Sequence, residues 1–219
     1  MTRRIAVLLS GCGALDGSDI HEAVLTLLAL DRAGVEIVCT APDIDQFHVI
    51  NHLTNEETEQ VRNVLVESSR IARGNVVTLD MFDPQKIDGL ILPGGFGSVK
   101  SLCTFAIKGP EGDINPQVLE LLRRVHAEKK PIGAICISAA TIVMALKAFQ
   151  PSVTIGTDTG AAAAIHTMGG EHHACNPDEI YVDPVNRIVS TPGYMLGAGI
   201  NEIAAGIDKL VQKVIELAE

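Results

Sequence analysis

An apolar run passes directly into a helix-forming run with no turn residue between them, and a cysteine stands at the join. Ile132 to Ile135 has the unbroken apolar character of a central parallel strand. Ser138 to Ala148, built of small and straight-chain residues, suits a helix. A chain that leaves a strand for a helix without a loop must bend sharply at one residue, here Cys136. Such a bend tolerates only small side chains two positions to either side, and these are Ala134 and Ser138. The pattern is that of the G-x-S-x-G nucleophile elbow, with a thiol in place of the hydroxyl. The helix N-terminus just beyond is expected to favour a thiolate and to lower the pKa of Cys136. A buried cysteine serving as a small hydrophobe satisfies the same pattern, so position alone leaves both readings open.

The chain before the elbow reads as α/β. Arg4 to Ser10 is a first strand, followed by the glycine-rich loop Gly11-Cys12-Gly13-Ala14-Leu15-Asp16-Gly17 and a helix from Asp19 to Ala33 that Gly34 caps. Val35 to Thr40 is a second buried strand, which completes a right-handed βαβ unit. His48–Asn51 and Asn75–Leu79 read as short strands flanking a helix from Thr54 to Gly74, because Thr54-Asn55-Glu56-Glu57 has the form of a capping box. This segment breaks the βαβ rhythm, so residues 44–86 are expected to be an insertion at one edge of a single domain spanning 1–219. Ile87 to Leu92 is the next parallel strand and ends in Pro93-Gly94-Gly95-Phe96-Gly97. Asn115-Pro116 starts a helix that runs to Lys129-Lys130, before the elbow strand.

Beyond the elbow, Val153–Ile155, His172–Cys175, Ile180–Val182 and Ile188–Ser190 read as short strands. The last two form a hairpin through Asp183-Pro184-Val185-Asn186. A closing helix, Asn201 to Leu217, carries Ile203, Ile207, Leu210, Val211 and Val214 on one face and should cover one side of the sheet.

Composition excludes several functions. With 47% hydrophobic and 20% charged residues in 219, the chain should be a compact soluble domain. A formal charge of −10 argues against nucleic acid, which needs a basic face. Aromatic residues make up only 3% and Trp is absent, so base-stacking platforms are not expected. Cysteines 12, 39, 103, 136 and 175 are odd in number and form no C-x-x-C, which suits reduced thiols in the cytoplasm. The apolar run after Arg3-Arg4 is too short for a signal peptide. No segment approaches the roughly 18 apolar residues a membrane helix requires.

Ligands of open parallel sheets bind beyond the carboxyl ends of the strands. Three segments lie there: the loop after the first strand, Pro93–Gly97, and Cys136. An oxyanion beside Cys136 is expected to take N–H groups from Ile137 and Gly95, with Gly94 leaving room for it. A tight turn without a ligand would also account for Gly94-Gly95. Glu22, in the first turn of the first helix, is the candidate proton acceptor. Asp19-Ile20-His21-Glu22 also reads as a plain capping box. The Gly11–Gly17 loop lacks the third glycine of a dinucleotide fingerprint and has no Walker lysine. Glu171-His172-His173-Ala174-Cys175 superficially suggests metal ligands, but neighbours on a strand face opposite ways. No metal and no cofactor are expected.

Several motifs together resemble a known family. They are Gly11-Cys12-Gly13 through Asp16-Gly17, Ile20-His21-Glu22-Ala23-Val24, Val49-Ile50-Asn51-His52-Leu53-Thr54 and Arg62-Asn63-Val64-Leu65. The match continues through Leu92-Pro93-Gly94-Gly95-Phe96-Gly97, Thr154-Ile155-Gly156-Thr157-Asp158, Thr191-Pro192-Gly193-Tyr194-Met195-Leu196 and Gly206-Ile207-Asp208-Lys209-Leu210-Val211. Across nearly its whole length the chain resembles the ElbB-type branch of the PfpI superfamily, which shares the class I glutamine-amidotransferase-like fold. The inset at 49–74 is what selects this branch over the smaller deglycases.

That resemblance implies a single flavodoxin-like three-layer sandwich with a mostly parallel sheet, and a homodimer. It implies that Cys136 is the nucleophile and that Glu22 is the carboxyl group beside it. The implied activity is that of a cofactor-free glyoxalase acting on glyoxal or a related small 2-oxoaldehyde, an activity that can also reflect deglycation. The departures are specific. Ile137 replaces the histidine that follows the cysteine in PfpI-type proteases, and Ile155-Gly156-Thr157-Asp158 stands where deglycases carry a histidine. The His-x-Glu of amidotransferases is matched only by His126-Ala127-Glu128, which precedes Cys136. These departures weigh against protease and glutaminase chemistry. A redox-sensing protein and a metabolite-binding protein of isoprenoid or nitrogen metabolism are the alternatives from other classes.

Overall fold

A computed structural model describes residues 2–197 and 199–219. The chain begins with β1 (Arg4–Leu8), α1 (Ile20–Arg32) and β2 (Glu36–Ala41). A hairpin, β3 (Val49–Asn51) and β4 (Glu56–Thr58), precedes α2 (Val64–Ile71) and β5 (Val76–Thr78). Next come β6 (Gly89–Leu92), the short α3 (Gly97–Lys100) and α4 (Phe105–Lys108), and α5 (Pro116–Ala127). The elbow strand β7 (Ile132–Ile135) leads into α6 (Ser138–Leu146). Then follow β8 (Ser152–Val153), α7 (Thr159–Thr167), β9 (Glu171–His172), β10 (Tyr181–Asp183), β11 (Ile188–Thr191) and α8 (Ile200–Leu217).

The main sheet has seven strands in the order β10-β11-β7-β6-β1-β2-β5. Every pairing in it is parallel except β10 with β11. Strand alternation sorts the core into two layers. Ala6, Leu8, Leu90, Leu92, Ile132 and Ala134 pack with α5 and α6 on one face. Ile5, Val7, Leu9, Ile91 and Ile135 pack with α1 and α8 on the other. The result is the expected flavodoxin-like α/β sandwich, with β6, β1 and β7 central and covered on both faces. Among the described residues no helix is long and apolar enough to cross a membrane.

The expected elements from 44 to 86 need correction. Thr54-Asn55-Glu56-Glu57 does not cap a helix. It turns the antiparallel β3–β4 hairpin, with Asn55 in the left-handed region at φ 60°. Asn51 makes the competing local bond, its Oδ1 accepting from Leu53 N at 3.0 Å, and short polar side chains favour such turns. The helix starts later, capped by Asn63, whose side chain accepts from Val66 N. β5 is not part of an inset either, because it pairs in parallel with β2 and continues the βαβ rhythm. Within residues 44–86 the β3–β4 hairpin is the part that stands apart from the main sheet; β8 and β9 form a second small sheet beyond the elbow. α7, which no residue pattern announced, is capped by Asp158, whose side chain accepts from Ala161 N.

The closing helix buries Ile203, Ile207, Leu210, Val211 and Val214, as its spacing requires. Leu210 is wholly enclosed in the layer formed with β7 and α1. Leu210→Ala should therefore lower the free energy of unfolding by about 2–5 kcal/mol, read from urea titrations at fixed m-value.

Candidate active site

The elbow is real and strained. Cys136 has φ 61°, a left-handed conformation that costs a non-glycine residue about 1–3 kcal/mol. Hydrogen bonds on both sides hold it. Cys136 N donates to Thr191 O at 2.9 Å and carries the β7–β11 ladder into the bend. Ser138 Oγ accepts from Ile135 N at 3.0 Å and lies 2.8 Å from both Leu92 O and Ile135 O. Its hydroxyl thus ties the ends of β6 and β7 together, a role that small size alone did not suggest.

Glu22 is fully buried, with 0% of its surface exposed. The capping box of α1 is only half made: Asp19 Oδ1 accepts from Glu22 N at 3.0 Å, but the Glu22 carboxyl group does not return to Asp19. Asp19 N donates instead to Gly94 O at 3.0 Å. Glu22 reaches into the site, where Oε2 accepts from Gly94 N at 2.9 Å and Oε1 from Tyr194 N at 3.0 Å. Its carboxyl group lies beside Cys136, since a β-carbon on Gly94 would meet both residues at once. Cys136, Glu22, Gly94, Gly95 and Ile137 are therefore all brought together.

The glycine loop has steric reasons for its composition. A β-carbon on Gly94 would lie 2.5 Å from Cys136 Cβ and 2.6 Å from Glu22 Oε2, so no side chain fits. Gly95 adopts φ 91°, which favours glycine, and lies against the backbone of residues 17–19. Its N–H and that of Ile137 both act on the Cys136 thiol in the sense that favours the thiolate.

The electrostatics reverse one expectation. Burial pushes the Cys136 thiol well above its ordinary value, and the negative charge of Glu22 adds to the rise. The N–H groups of Ile137 and Gly95 oppose this without overcoming it. The helix N-terminus therefore does not yield a low-pKa thiol, because desolvation is the larger effect. Burial raises Glu22 from 4.5 to about 7, Asp19 adds to the rise, and the N–H groups of Tyr194 and Gly94 work against it.

Other candidates lie elsewhere. Cys12 is half-buried, and its thiol is raised by burial and by Glu67; the other charges acting on it are Arg70, Asp16 and Arg62, not Glu22. His126 Nε2 lies 3.1 Å from Asn186 Oδ1, beside the β10–β11 turn at the end of the sheet opposite Cys136. The ring of His173 stacks on Tyr181, with centroids 3.9 Å apart. Among the described residues no group of three or more His, Cys, Asp or Glu stands together as a ligand set.

Sequence reasoning gave no role to Gly193 or Tyr194, though both follow directly after β11. The neighbouring strand order was the signal that would have placed them, since loops beyond adjacent parallel strands converge on one site.

Comparison with known proteins agrees over the full chain. No family model matches. The rat protein named "ES1 protein homolog, mitochondrial" is 40% identical over 224 residues, covering 98% of this chain and 84% of that protein. The human "Glutamine amidotransferase-like class 1 domain-containing protein 3, mitochondrial" is 39% identical, covering 98% and 83%. A crystal structure from Ehrlichia chaffeensis, described as an isoprenoid biosynthesis protein with an amidotransferase-like domain, superimposes with TM-score 0.94 at 38% identity over 100% of both chains.

The raised carboxyl group makes stability depend on pH. Glu22 holds its proton to higher pH in the folded chain than in the unfolded chain, so its contribution is complete below 4.5 and is lost as pH rises toward 7. Glu22→Gln removes this dependence. Between pH 5 and 7 the variant should gain on the wild type in urea titrations, by about 1.4 kcal/mol per pH unit at the steepest.

Proposed function

We propose, from the premise that this chain belongs to the ES1 and ElbB-like family of class I glutamine-amidotransferase-like proteins, that it is a cofactor-independent glyoxalase. Its substrate would be glyoxal or a similarly small 2-oxoaldehyde, and its product the corresponding hydroxy acid. One observation carries this reading. A buried thiol, a buried carboxyl group near pKa 7 and two converging N–H groups meet at a single point. Such a set can add sulfur to a carbonyl, stabilise the resulting oxyanion and move a proton between adjacent carbons. Crowding supports a small electrophile, because Cys136 is only 8% exposed.

The chemistry balances without a cofactor. Glu22 carboxylate takes the thiol proton as Cys136 sulfur bonds to one aldehyde carbon, and returns it to the alkoxide to give a hemithioacetal. Glu22 then removes the hydrogen from that carbon, and an enediol forms. Protonation of the neighbouring carbon gives a thioester of the hydroxy acid. Water hydrolyses the thioester, releasing the acid and restoring the thiol. The N–H groups of Gly95 and Ile137 supply the oxyanion contacts, each worth about 2.7–4 kcal/mol where such a donor has been removed from a protease. Deglycation of adducts uses the same site and steps.

The redox-sensing alternative is less well supported, since oxidation follows thiolate character and exposure, and Cys136 has little of either. Binding of an isoprenoid-linked metabolite rests on the description of the Ehrlichia protein alone. The five free cysteines support a reducing compartment. The cytoplasm meets that condition, and so does the interior of the mitochondrion for which the relatives are named.

A second copy of the chain is the proposed partner. Ile20, Val24 and Leu28 are 46%, 47% and 40% exposed and stand one helical turn apart, forming an apolar stripe on α1. Val24→Asp should turn a dimer into a monomer in light scattering after gel filtration; a monomeric wild type would sink the idea.

Purified protein should consume glyoxal with or without chelator and glutathione. kcat/KM should rise with pH through an inflection near 7, as Glu22 ionises. Glu22→Gln should lose about 10²–10⁴-fold in kcat while remaining cooperatively folded. Full turnover in that variant would remove the base from the mechanism.

A further inference from the structure

Glu22 has no histidine partner in this site, yet one lies a single residue away. His21 precedes Glu22 in the first turn of α1, and its Nδ1 is 2.8 Å from the Tyr194 hydroxyl. Tyr194 N in turn donates to Glu22 Oε1 at 3.0 Å. These two bonds and the covalent step from His21 to Glu22 close a ring between α1 and the turn 193–196. The turn lies directly on the reactive pair, since a β-carbon on Gly193 would fall 2.8 Å from Cys136 Cβ. The two rings are 5.7 Å apart and inclined at 48°, so the hydrogen bond rather than stacking sets the tyrosine's position.

The ring has a consequence for the carboxyl group. Of the two N–H groups on Glu22, that of Gly94 is fixed by a loop whose glycines admit no side chain. That of Tyr194 belongs to a short turn closed by Met195 N to Pro192 O and Gly197 N to Tyr194 O. Among the described residues the tyrosine hydroxyl makes the only hydrogen bond from this turn to the outer face of α1. We infer that Tyr194, anchored by His21, is a positioning residue that holds its own N–H on Glu22 and so sets where the Glu22–Cys136 pair keeps its protons. The groups facing this ring are Asp19 and Glu22 from α1 and Cys136 from the elbow. Without the anchor the turn is free to lift, Glu22 loses part of one stabilising N–H, and its proton is held to higher pH.

This inference rests on the proposed role of Glu22 as the proton carrier, so its test uses a readout that needs no glyoxal. The rate of iodoacetamide alkylation of Cys136 is followed against pH by peptide mapping. In wild type the profile should show an inflection near 7 from Glu22. Tyr194→Phe and His21→Ala should each move that inflection up by about one pH unit. The double variant should move it no further, because both changes break one bond. His21→Asn, which keeps a polar atom near the Nδ1 position, should restore the wild-type profile and guards against a folding defect in His21→Ala. In glyoxal assays kcat should fall while KM changes little. Unshifted profiles in Tyr194→Phe and His21→Ala, or additive shifts in the double variant, would overturn the inference. A protein that shows the shifts but consumes no glyoxal would retain the positioning role and refute the proposed reaction.

Discussion

The buried carboxyl group of Glu22 is the knot of this structure. Its oxygens accept from Gly94, in the loop after β6, and from Tyr194, in the turn after β11, and it meets the thiol at the end of β7. Glu22 itself comes from the helix that follows β1. Four strand ends are therefore bound at a single side chain, at the edge where an open parallel sheet presents its ligands. Burying a carboxyl group without partners would cost several kcal/mol, so these contacts are what allow it to sit in the core.

Strain and burial are coupled at Cys136. The left-handed bend is held because Thr191 and Ser138 complete the backbone bonding on either side of it. Holding the thiol there also encloses it, and enclosure raises its pKa more than the nearby N–H groups lower it. The elbow thus gives accurate placement at the expense of a free thiolate. The proposed reaction then requires a neighbour able to accept the thiol proton, and a carboxyl group near pKa 7 is well matched to that task.

Where hydrophobic pattern decided the structure, the sequence was readable. β1, β6, β7 and α8 follow from unbroken or 3.6-residue apolar spacing, because the core rewards burial whatever the local turn chemistry. The elbow was readable because no turn residue separates Ile135 from Ser138. Reading failed where short polar motifs have two uses. Thr54-Asn55-Glu56-Glu57 fits a capping box, yet an asparagine that tolerates the left-handed region makes a hairpin turn there instead. Asp19-Ile20-His21-Glu22 fits a full capping box, yet only its Asp19 half forms. α7 escaped notice because Thr157-Asp158-Thr159-Gly160 reads as loop, although Asp158 is a helix cap. The pKa of Cys136 was misread for another reason: a helix terminus is visible in sequence, while the degree of enclosure is a tertiary quantity.

Enclosure also limits what the pair can act upon. Gly94 has no room for a β-carbon against Cys136 and Glu22, and Gly193 closes on the same two residues from the opposite loop. An acyl substrate with a long chain would have to displace backbone on one side or the other. A two- or three-carbon dicarbonyl presents its electrophilic carbon and its acidic C–H within one bond of each other. In the proposed reaction a thiol and a carboxyl group side by side would serve both atoms. The same close packing would, in that reaction, shield the enediol, so that Glu22 rather than bulk solvent would return its proton.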